Sequence, residues 1–402
     1  VVYRLLPKDV SVGVFSYLPS DDQLKIVDGI TDTELSYIVD ELDFDDKIDI
    51  LEELPANLVD KILEKTPKNE RALINSFLNY PDDCAGSLMT PEYISLQKEM
   101  TVGEALGYIK REGMDAETIY TCYVTEKRKL IGVVDIKDLL TTGEARLIEE
   151  IMDTNMLYAR TTDDQEDVAR TITKYGLIAL PIVDHEMCMV GIVTVDDAML
   201  VLQDEETEDI SRMAGINPDD DSYFGMTIFE HVKSRIPWLL FLMLSATVTQ
   251  MIMNSYEAAL AMMPQIAGFV PMLTGTGGNC GSQSSTLVIR GLAVGEIEFR
   301  DLFKVIWKEV RVAVCISLIL ATVNGIRIMI MGQGDALMAL TIGLTMACTV
   351  IIAKVVGCTL PLVAKKVGLD PAIMATPLIS TLVDISTISV YFAIVSYVFG
   401  LN

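Results

Sequence analysis

The sequence predicts a multidomain membrane protein in which an α-helical region and an α+β region precede an all-α membrane region. The chain has 402 residues, 50% of them hydrophobic, and this length exceeds that of one ordinary domain. Residues 1–225 hold 48 acids and 20 bases, whereas residues 226–402 hold 9 acids and 11 bases, so the formal charges are −28 and +2. The second part also contains five apolar stretches, each long enough to cross a hydrocarbon core about 30 Å thick.

Charge and composition exclude several classes of function. An acidic surface repels nucleic acid and attracts cations, so we expect no nucleic-acid partner. The seven cysteines form no C-x-x-C pair, which indicates neither a disulfide framework nor a zinc site and fits a reducing cytosolic environment. The two histidines, His185 and His231, are too few for a histidine-rich transition-metal site. The N-terminus shows no signal peptide.

Residues 1–85 predict an acidic helical N-domain. Short helical patterns such as LPSDDQLKIVDGI and TDTELSYIVDELD recur about every twelve residues. Ser20 with Gln23, and Thr31 with Glu34, have the spacing of capping boxes. Each unit is too short to be stable alone, so neighbouring units are expected to stack as a small α-helical solenoid. The simplest interpretation of the acids here is that they lie on a solvated outer face of the stack.

Residues 86–200 contain a second repeat. LIGVVDIKDLL (130–140) returns as MVGIVTVDDAML (189–200), and each copy follows an amphipathic helical pattern. The order of strand, acid and helix start resembles a tandem pair of CBS domains, which is a regulatory α+β pair. Residues 201–230 then predict a connecting helix, as part of an acid-rich helical pattern over 197–222.

Residues 231–402 predict a membrane domain with five helices, at about 236–256, 260–290, 308–331, 336–363 and 371–400. The second stretch carries Pro264, Pro271 and the run GTGGNCGSQSS, which predicts a broken or kinked helix that lines protein or a water-filled cavity. Lysine and arginine precede the first stretch and lie between the second and third and between the fourth and fifth. This distribution places the acidic half in the cytosol and, with five spans, the C-terminus outside.

Asp384 is the one carboxylate well inside an apolar stretch, since Glu309 and Asp370 are assigned to ends or loops. A charge at this depth costs at least about 2.5–3.5 kcal/mol on insertion scales. One interpretation is a structural ion pair, for which Lys354 is the candidate at matching depth. The other is a polar cavity.

The polar-cavity interpretation rests on the neighbouring oxygen ligands. Ser380 and Thr381 flank Asp384, and Asn279 and Gln283 of the glycine-rich run could face it. Hard oxygen ligands without thiolate or imidazole suit Mg²⁺, Ca²⁺ or Mn²⁺. Mg²⁺ often binds through one or two carboxylates and keeps its waters, and two copies of Asp384 across a dimer axis would supply two carboxylates.

Taken together, the domain order and five motifs resemble the MgtE family of magnesium channels and transporters, over essentially the whole chain. The motifs are YPDDCAGSLMTPEY (80–93), GIVTVDD (191–197), EETEDISRMAGI (205–216), GTGGNCGSQS (275–284) and DPAIMATPLISTLVD (370–384). The resemblance implies a homodimeric, Mg²⁺-selective channel of the plasma or inner membrane that cytosolic Mg²⁺ closes, and it implies no enzyme. It also implies that residue 1 begins inside the helical domain.

The resemblance assigns roles to individual residues. The implied pore acids are Asp384 and Asp370, and the implied pore-lining residues are Gly275, Thr276, Gly277, Gly278, Asn279, Ser282, Gln283, Thr376, Ser380 and Thr381. The implied ligands of regulatory Mg²⁺ are Glu166, Asp197, Glu205, Glu208 and Asp209, with Asp9, Glu41 and Asp45 as further candidates. Some relatives bind ATP between their CBS domains, and the residues that could do so here are Tyr120, Lys137 and Asp138.

Departures from the family pattern affect selectivity and regulation. Ser282 replaces an asparagine that is common in the glycine-rich run, and Thr376 replaces an asparagine that often precedes Pro377. Both residues remain polar, so permeation is expected to survive while selectivity is less secure. Leu200 and Gly176 stand where some relatives have acids, which predicts fewer regulatory ions. Leu177 replaces an aromatic residue, which argues against ATP binding.

Three alternatives of other classes stay open at this stage. An ion-coupled secondary divalent-cation transporter could use Asp384 as a proton relay. An intramembrane enzyme is disfavoured, because an aspartyl protease needs two membrane aspartates and the H-E-x-x-H motif of metalloproteases is absent. A sensor that transports nothing would give no flux in liposomes.

Overall fold

A computed structural model of the chain describes residues 3–18, 20–218, 223–332, 334–374 and 376–400. The chain forms two compact units, Val1–Glu206 and Thr207–Asn402.

The first unit begins with a stack of short helices, each nine or ten residues long. Their bounds are α1 Lys8–Ser16, α2 Ser20–Gly29, α3 Asp32–Glu41, α4 Phe44–Glu53, α5 Ala56–Lys65 and α6 Lys68–Phe77. The predicted capping box at Thr31 is confirmed, since its hydroxyl accepts from the Glu34 N–H at 3.3 Å and its own N–H donates to the Glu34 carboxylate at 2.8 Å. The Ser20 side chain lies outside the described residues. Phe15, Ile48 and Phe77 are fully buried in the shared core, so the predicted stack of short helices is confirmed.

The rest of the first unit consists of two small sheets with the same topology. The first contains β1 Tyr93–Gln97, β2 Thr118–Glu126 and β3 Lys129–Asp135, and the second contains β4 Ala159–Arg160, β5 Ala179–Val183 and β6 Met189–Thr194. In each sheet the first strand pairs parallel with the second, and the second pairs antiparallel with the third. The accompanying helices are α7 Ala85–Leu88, α8 Val102–Glu112, α9 Ile136–Thr141, α10 Gln165–Tyr175 and α11 Val195–Met213. The predicted tandem α+β repeat is therefore confirmed.

Helix α11 ends nine residues before the predicted end of the acid-rich pattern at residue 222. Gly215 takes a left-handed conformation with φ of +71°, which glycine adopts without a Cβ penalty. The N–H of Gly215 donates to the Arg212 carbonyl, and the N–H of Ile216 donates to the Ser211 carbonyl, both at 2.9 Å. These hydrogen bonds close the helix end, so the prediction of one helix to residue 222 is wrong.

The second unit is helical. Its helices are α12 Ile228–Ser255, α13 Glu257–Met262, α14 Val270–Ala293, α15 Leu302–Met331, α16 Ala336–Val367 and α17 Thr376–Phe399, with 3-10 turns at Pro264–Phe269, Phe299–Asp301 and Pro371–Met374. Four segments among the described residues are long and apolar enough to cross a membrane: Ile228–Ser255, Phe299–Met331, Ala336–Val367 and Pro371–Phe399. Helix α14 has 24 residues and a length of about 36 Å, but it is more polar than those four. The count of five spans therefore stays a prediction.

The predicted break in the second apolar stretch lies earlier than the glycine-rich run. Helix α13 ends at Met262, Pro264 starts a 3-10 turn, and Pro271 occupies the first turn of α14. A proline is tolerated there because its missing N–H has no helical partner in any case. The run GTGGNCGSQSS is continuous helix inside α14, so the predicted break lies at the prolines and not at the glycines.

Candidate functional site

One face of α14 carries an exposed polar stripe, which we define as Gly275, Asn279, Gln283, Thr286 and Arg290. These positions are separated by four, four, three and four residues, which keeps them on one face of a helix. Polar groups at membrane depth must face protein or water. If α14 crosses a membrane, this face must therefore meet water or protein. The sequence analysis missed Thr286 and Arg290, although the same spacing extends to them.

The opposite face of α14 packs closely against α16 and α17. A Cβ on Gly277 would lie 2.7 Å from Val383 Cγ1 and 2.8 Å from Thr349 Cγ2, and a Cβ on Gly281 would lie 2.6 Å from Ile379 Cγ2. Small residues let membrane helices approach this closely. Gly277 therefore faces neighbouring helices and not the polar stripe.

Asp384 lies half-buried in α17, with Ser380 and Thr381 one turn earlier. Ser380 lies beside α14, because its hydroxyl is 3.3 Å from where a Cβ on Gly278 would stand. The Thr381 hydroxyl donates to the Pro377 carbonyl at 3.1 Å. No basic side chain pairs with Asp384 among the described residues. The side chain of Thr376 lies outside the described part of the structure.

Lys354 forms its ion pair with Glu309 and not with Asp384. Its ammonium group lies 3.2 Å from the Glu309 carboxylate and 2.9 Å from the Ser284 hydroxyl. Glu309 lies two turns inside α15 with its side chain 12% exposed, so its assignment to an end or loop is wrong. The pair could have been predicted, because Glu309 and Lys354 each stand in an otherwise apolar stretch and have opposite charges.

Asp370 forms an ion pair with a residue that the sequence analysis missed. The Arg212 guanidinium donates to the carboxylates of both Glu208 and Asp370. A second oxygen of Asp370 accepts from the Ala372 N–H at 2.7 Å and so caps the turn before α17. Arg212 follows Glu208 by four residues on one helix, which is a favourable spacing for an ion pair and was the available signal.

In the first unit, a group of three acids could hold a metal ion. Carboxylate oxygens of Asp43, Glu92 and Glu117 lie within 4.8 Å of one another. Glu92 and Glu117 directly precede β1 and β2, which are parallel neighbours, and the Glu117 N–H donates to the Glu92 carbonyl at 2.8 Å. Residues before parallel neighbouring strands meet at the same sheet edge. The sequence prediction lacked Glu92 and Glu117, and the position of each directly before a strand was the available signal.

Electrostatic crowding extends this group to the predicted residues Asp45 and Asp197. Burial, followed by the Asp197 carboxylate, raises the pKa of Asp45 to about 8. Burial and the Asp43 carboxylate raise the pKa of Glu117 to about 7. Burial likewise raises the pKa of Asp197, although its hydrogen bond from the Thr194 hydroxyl at 2.5 Å opposes this. The cluster therefore holds more negative charge than its environment favours.

The other predicted regulatory residues lie in different surroundings. Glu166 pairs with Arg170 at the start of α10, and the neighbouring Gln165 amide donates to Glu205 of α11 at 3.3 Å, so these two helices bring Glu166 and Glu205 to one region. Glu41 is exposed at the end of α3. The side chain of Asp9 lies outside the described residues.

The three candidate ATP contacts lie at one end of the first sheet. Tyr120 is 60% exposed on β2. Its neighbour Thr121 pairs with Asp135, the residue before α9, and α9 carries the exposed Lys137 and Asp138. The structure thus places an aromatic ring near a base and an acid on the surface.

Comparisons with known proteins cover all of these regions. Residues 270–394 match the MgtE family, described as divalent cation transporter, residues 1–83 match the MgtE intracellular N domain, and residues 85–143 and 148–204 match CBS domains. The chain is 36% identical to the magnesium transporter MgtE of Thermus thermophilus, over 98% of this chain and 88% of the relative. It is 31% identical to the protein of the same name from Bacillus subtilis, over 98% and 89%.

A solved structure is also similar to part of the chain. It is described as the cytosolic domain of the Mg²⁺ channel MgtE in complex with ATP. It is 38% identical, covers 50% of this chain and 82% of its own, and has a TM-score of 0.48.

Four apolar helices long enough to cross a membrane, a match to a divalent cation transporter over α14 to α17 and a pair of CBS domains define a multi-pass membrane transport protein for cations. More specifically, the chain belongs to the MgtE family of magnesium transporters. The resemblance stated from the motifs is confirmed. Members of this family are transporters and not enzymes, which removes the intramembrane-enzyme alternative.

Proposed function

We propose that this protein is a Mg²⁺-selective channel whose ion path runs between the polar stripe of α14 and Asp384 of α17. The observation that carries the proposal is a membrane carboxylate without a basic partner among the described residues, beside a helix with polar groups exposed along its length. Hydrated Mg²⁺ suits such a site, since it keeps several waters and needs only one or two carboxylates. Uncharged polar groups such as Asn279 and Gln283 would then contact those waters.

A second copy of the chain completes the path in this proposal. The stripe is exposed on the single chain, and water or protein must cover it in a bilayer. A homodimer would place two stripes and two Asp384 carboxylates around one axis. The basic loops put the acidic half in the cytosol, and with five spans the C-terminus lies outside.

The test is Mg²⁺ uptake by liposomes that contain Asp384→Ala. We expect most of the flux to disappear, because the substitution deletes the charge that holds the ion. Glu296→Gln is the matched control, since it removes an exposed carboxylate from the loop after α14. Parent-like uptake by Asp384→Ala would refute the proposed path.

Reversal potentials separate the channel from an ion-coupled transporter. A channel reverses at the potential set by the Mg²⁺ gradient alone, whereas the reversal potential of a coupled carrier also shifts with the proton or Na⁺ gradient. A shift with either of these gradients would favour the secondary transporter.

The proposed gate is the acidic cytosolic half. Burial raises the pKa of both Asp45 and Glu117, and repulsion by the Asp197 carboxylate adds to the effect at each. Mg²⁺ bound among these acids, and among those of α10 and α11, would remove the repulsion and favour a compact closed state by mass action. The salt bridges of Arg212 with Glu208 and Asp370 would hold two acids of the gate together without an ion.

ATP binding at Tyr120, Lys137 and Asp138 is a subordinate part of the proposal. An exposed ring, a base and an acid at one sheet end would suit an adenine, a phosphate and a ribose hydroxyl. Equal Mg²⁺ inhibition with and without ATP would argue against a regulatory role for the nucleotide.

A further inference from the structure

Three helices of the second unit meet at a polar cluster, defined as Ser284 of α14, Glu309 of α15 and Lys354 of α16. The Ser284 hydroxyl donates to Glu309 Oε2 at 2.5 Å. The Lys354 ammonium donates to Ser284 Oγ at 2.9 Å and to Glu309 Oε2 at 3.2 Å. The side chain of Lys354 is 4% exposed and that of Glu309 is 12% exposed, and Ser284 is fully buried. Each member of the cluster therefore contacts the other two away from solvent.

Stability alone is a poor explanation for this cluster. An ionised side chain inside a membrane is costly and usually marks function. Replacing a buried ion pair by apolar residues of similar volume is often neutral or stabilising. The Ser284 hydroxyl nevertheless links the two charges, because it accepts from the base while it donates to the acid. Among the described residues, these hydrogen bonds join the ion pair to α14.

The cluster lies behind the proposed ion path. At 100° per residue, Ser284 is about 140° around α14 from the middle of the polar stripe. Ser284 therefore points away from the proposed path. The cluster instead contacts the back of the helix that presents Asn279 and Gln283 to the path.

The same back face also makes contacts that are not directional. Gly281 and Gly357 meet backbone to backbone, and Val288 and Leu292 pack with Cys358 and Leu362 of α16 in an apolar cluster. Hydrogen bonds are directional and weaken steeply when misaligned. The two hydrogen bonds at Ser284 therefore add a directional constraint on the rotation of α14 to these apolar and backbone contacts.

We propose that Ser284, Glu309 and Lys354 are positioning residues that set the rotation of α14, and with it the direction in which Asn279 and Gln283 face the ion. This inference rests on the proposed ion path. It assigns no ligand role to the three residues. It predicts that loosening the cluster changes how the path discriminates between ions, and not only how much protein folds.

The decisive variant is Ser284→Ala, which removes the contact to α14 and leaves the Glu309–Lys354 pair in place. The matched control is Ser285→Ala: this neighbour is equally buried, and its hydroxyl has only a 3.5 Å contact to the Met374 carbonyl. Uptake into liposomes is measured against Mg²⁺ concentration, together with the ratio of Mg²⁺ to Mn²⁺ flux. We expect the half-saturating Mg²⁺ concentration or the flux ratio to change on the order of tenfold in Ser284→Ala, as for loss of a hydrogen bond to a charged group. Parent values in Ser284→Ala would overturn the inference.

A second variant separates positioning from stability. Glu309→Leu with Lys354→Met removes both charges and keeps apolar bulk, and we expect it to unfold in detergent near the parent temperature. If the pair only stabilises the fold, this double variant should keep the parent flux ratio, and that result would refute the positioning role. If Ser284→Ala fails to fold, the double variant decides.

The outcome is distinguishable from failure of the proposed function. Parent-like flux in Asp384→Ala would refute the ion path itself. An unchanged flux ratio in Ser284→Ala, with Asp384→Ala inactive, would refute only the positioning role.

Discussion

Replacing Gly277 by alanine tests the close packing behind α14. A methyl group there would lie 2.7 Å from Val383 Cγ1, 2.8 Å from Thr349 Cγ2 and 3.2 Å from the Thr387 hydroxyl. Carbon atoms prefer separations of about 3.5–4.0 Å, so both neighbours would have to retreat by about 1 Å. Val383 and Thr349 are themselves buried, so the retreat must involve α17 and α16.

Overpacking of this kind typically costs about 1–3 kcal/mol. For a unit of this size, 1 kcal/mol corresponds to a shift of about 2–4 °C in the unfolding temperature. We therefore expect Gly277→Ala to unfold several degrees below the parent. Its flux should also fall, because Val383 is the neighbour of Asp384 and moves with it.

Two further variants give a graded comparison. At Gly278 the nearest atom to an added Cβ is Ser380 Oγ at 3.3 Å, and at Gly325 of α15 no atom lies within 4 Å. The loss of stability should therefore fall in the order Gly277→Ala, Gly278→Ala, Gly325→Ala, with the last neutral or stabilised by alanine's higher helix propensity. The assay is thermal unfolding in detergent, followed by size-exclusion chromatography and liposome uptake. The reasoning is refuted if Gly277→Ala unfolds at the temperature of Gly325→Ala and transports at the parent rate.

Two more predictions concern the cytosolic acids. Arg212→Gln should speed proteolysis of the segment after α11 in the absence of Mg²⁺, because Glu208 and Asp370 lose their shared cation. Added Mg²⁺ should restore the protection, and Arg235→Gln is the control. An unchanged cleavage rate without Mg²⁺ would contradict the role of Arg212. Mg²⁺ binding near pH 7 should release protons, because the pKa values of Asp45 and Glu117 are raised to about 8 and about 7 and protons compete with the metal. Calorimetry in buffers of different ionisation enthalpy should show tighter binding and less release toward pH 9, and Asp45→Asn should release fewer protons. Since these folded-state pKa values are raised, the stability that protonation contributes without Mg²⁺ is complete below about pH 4 and is lost as the pH rises through 7 and 8.

Local patterns predicted the fold well because they depend on neighbours along the chain. The short helices follow from amphipathic repeats and caps such as that of Thr31, and the paired sheets follow from a repeated strand–acid–helix pattern. The helix end at Met213 was missed because one glycine, the left-handed Gly215, is a weak indication of a helix end within an acid-rich pattern.

Contacts between distant segments were not predictable in the same way. Asp384 and the glycine-rich run were found because a charge and a glycine cluster stand out in apolar sequence. The partner of Lys354 depended on which helices pack together, and sequence spacing carries no such information. Glu92 and Glu117 meet only because β1 and β2 pair in parallel, and their separation along the chain hides this.

The unpaired carboxylate of Asp384 has a consequence for the protein outside transport. With no basic side chain beside it in the described part of the second unit, the local charge can be balanced only by a proton or by a cation that occupies the path. In the proposed ion path that cation is the transported ion, which would then also be a component of the folded structure. Chelators used during purification would withdraw that component, and the membrane helices would be least stable when the path is empty.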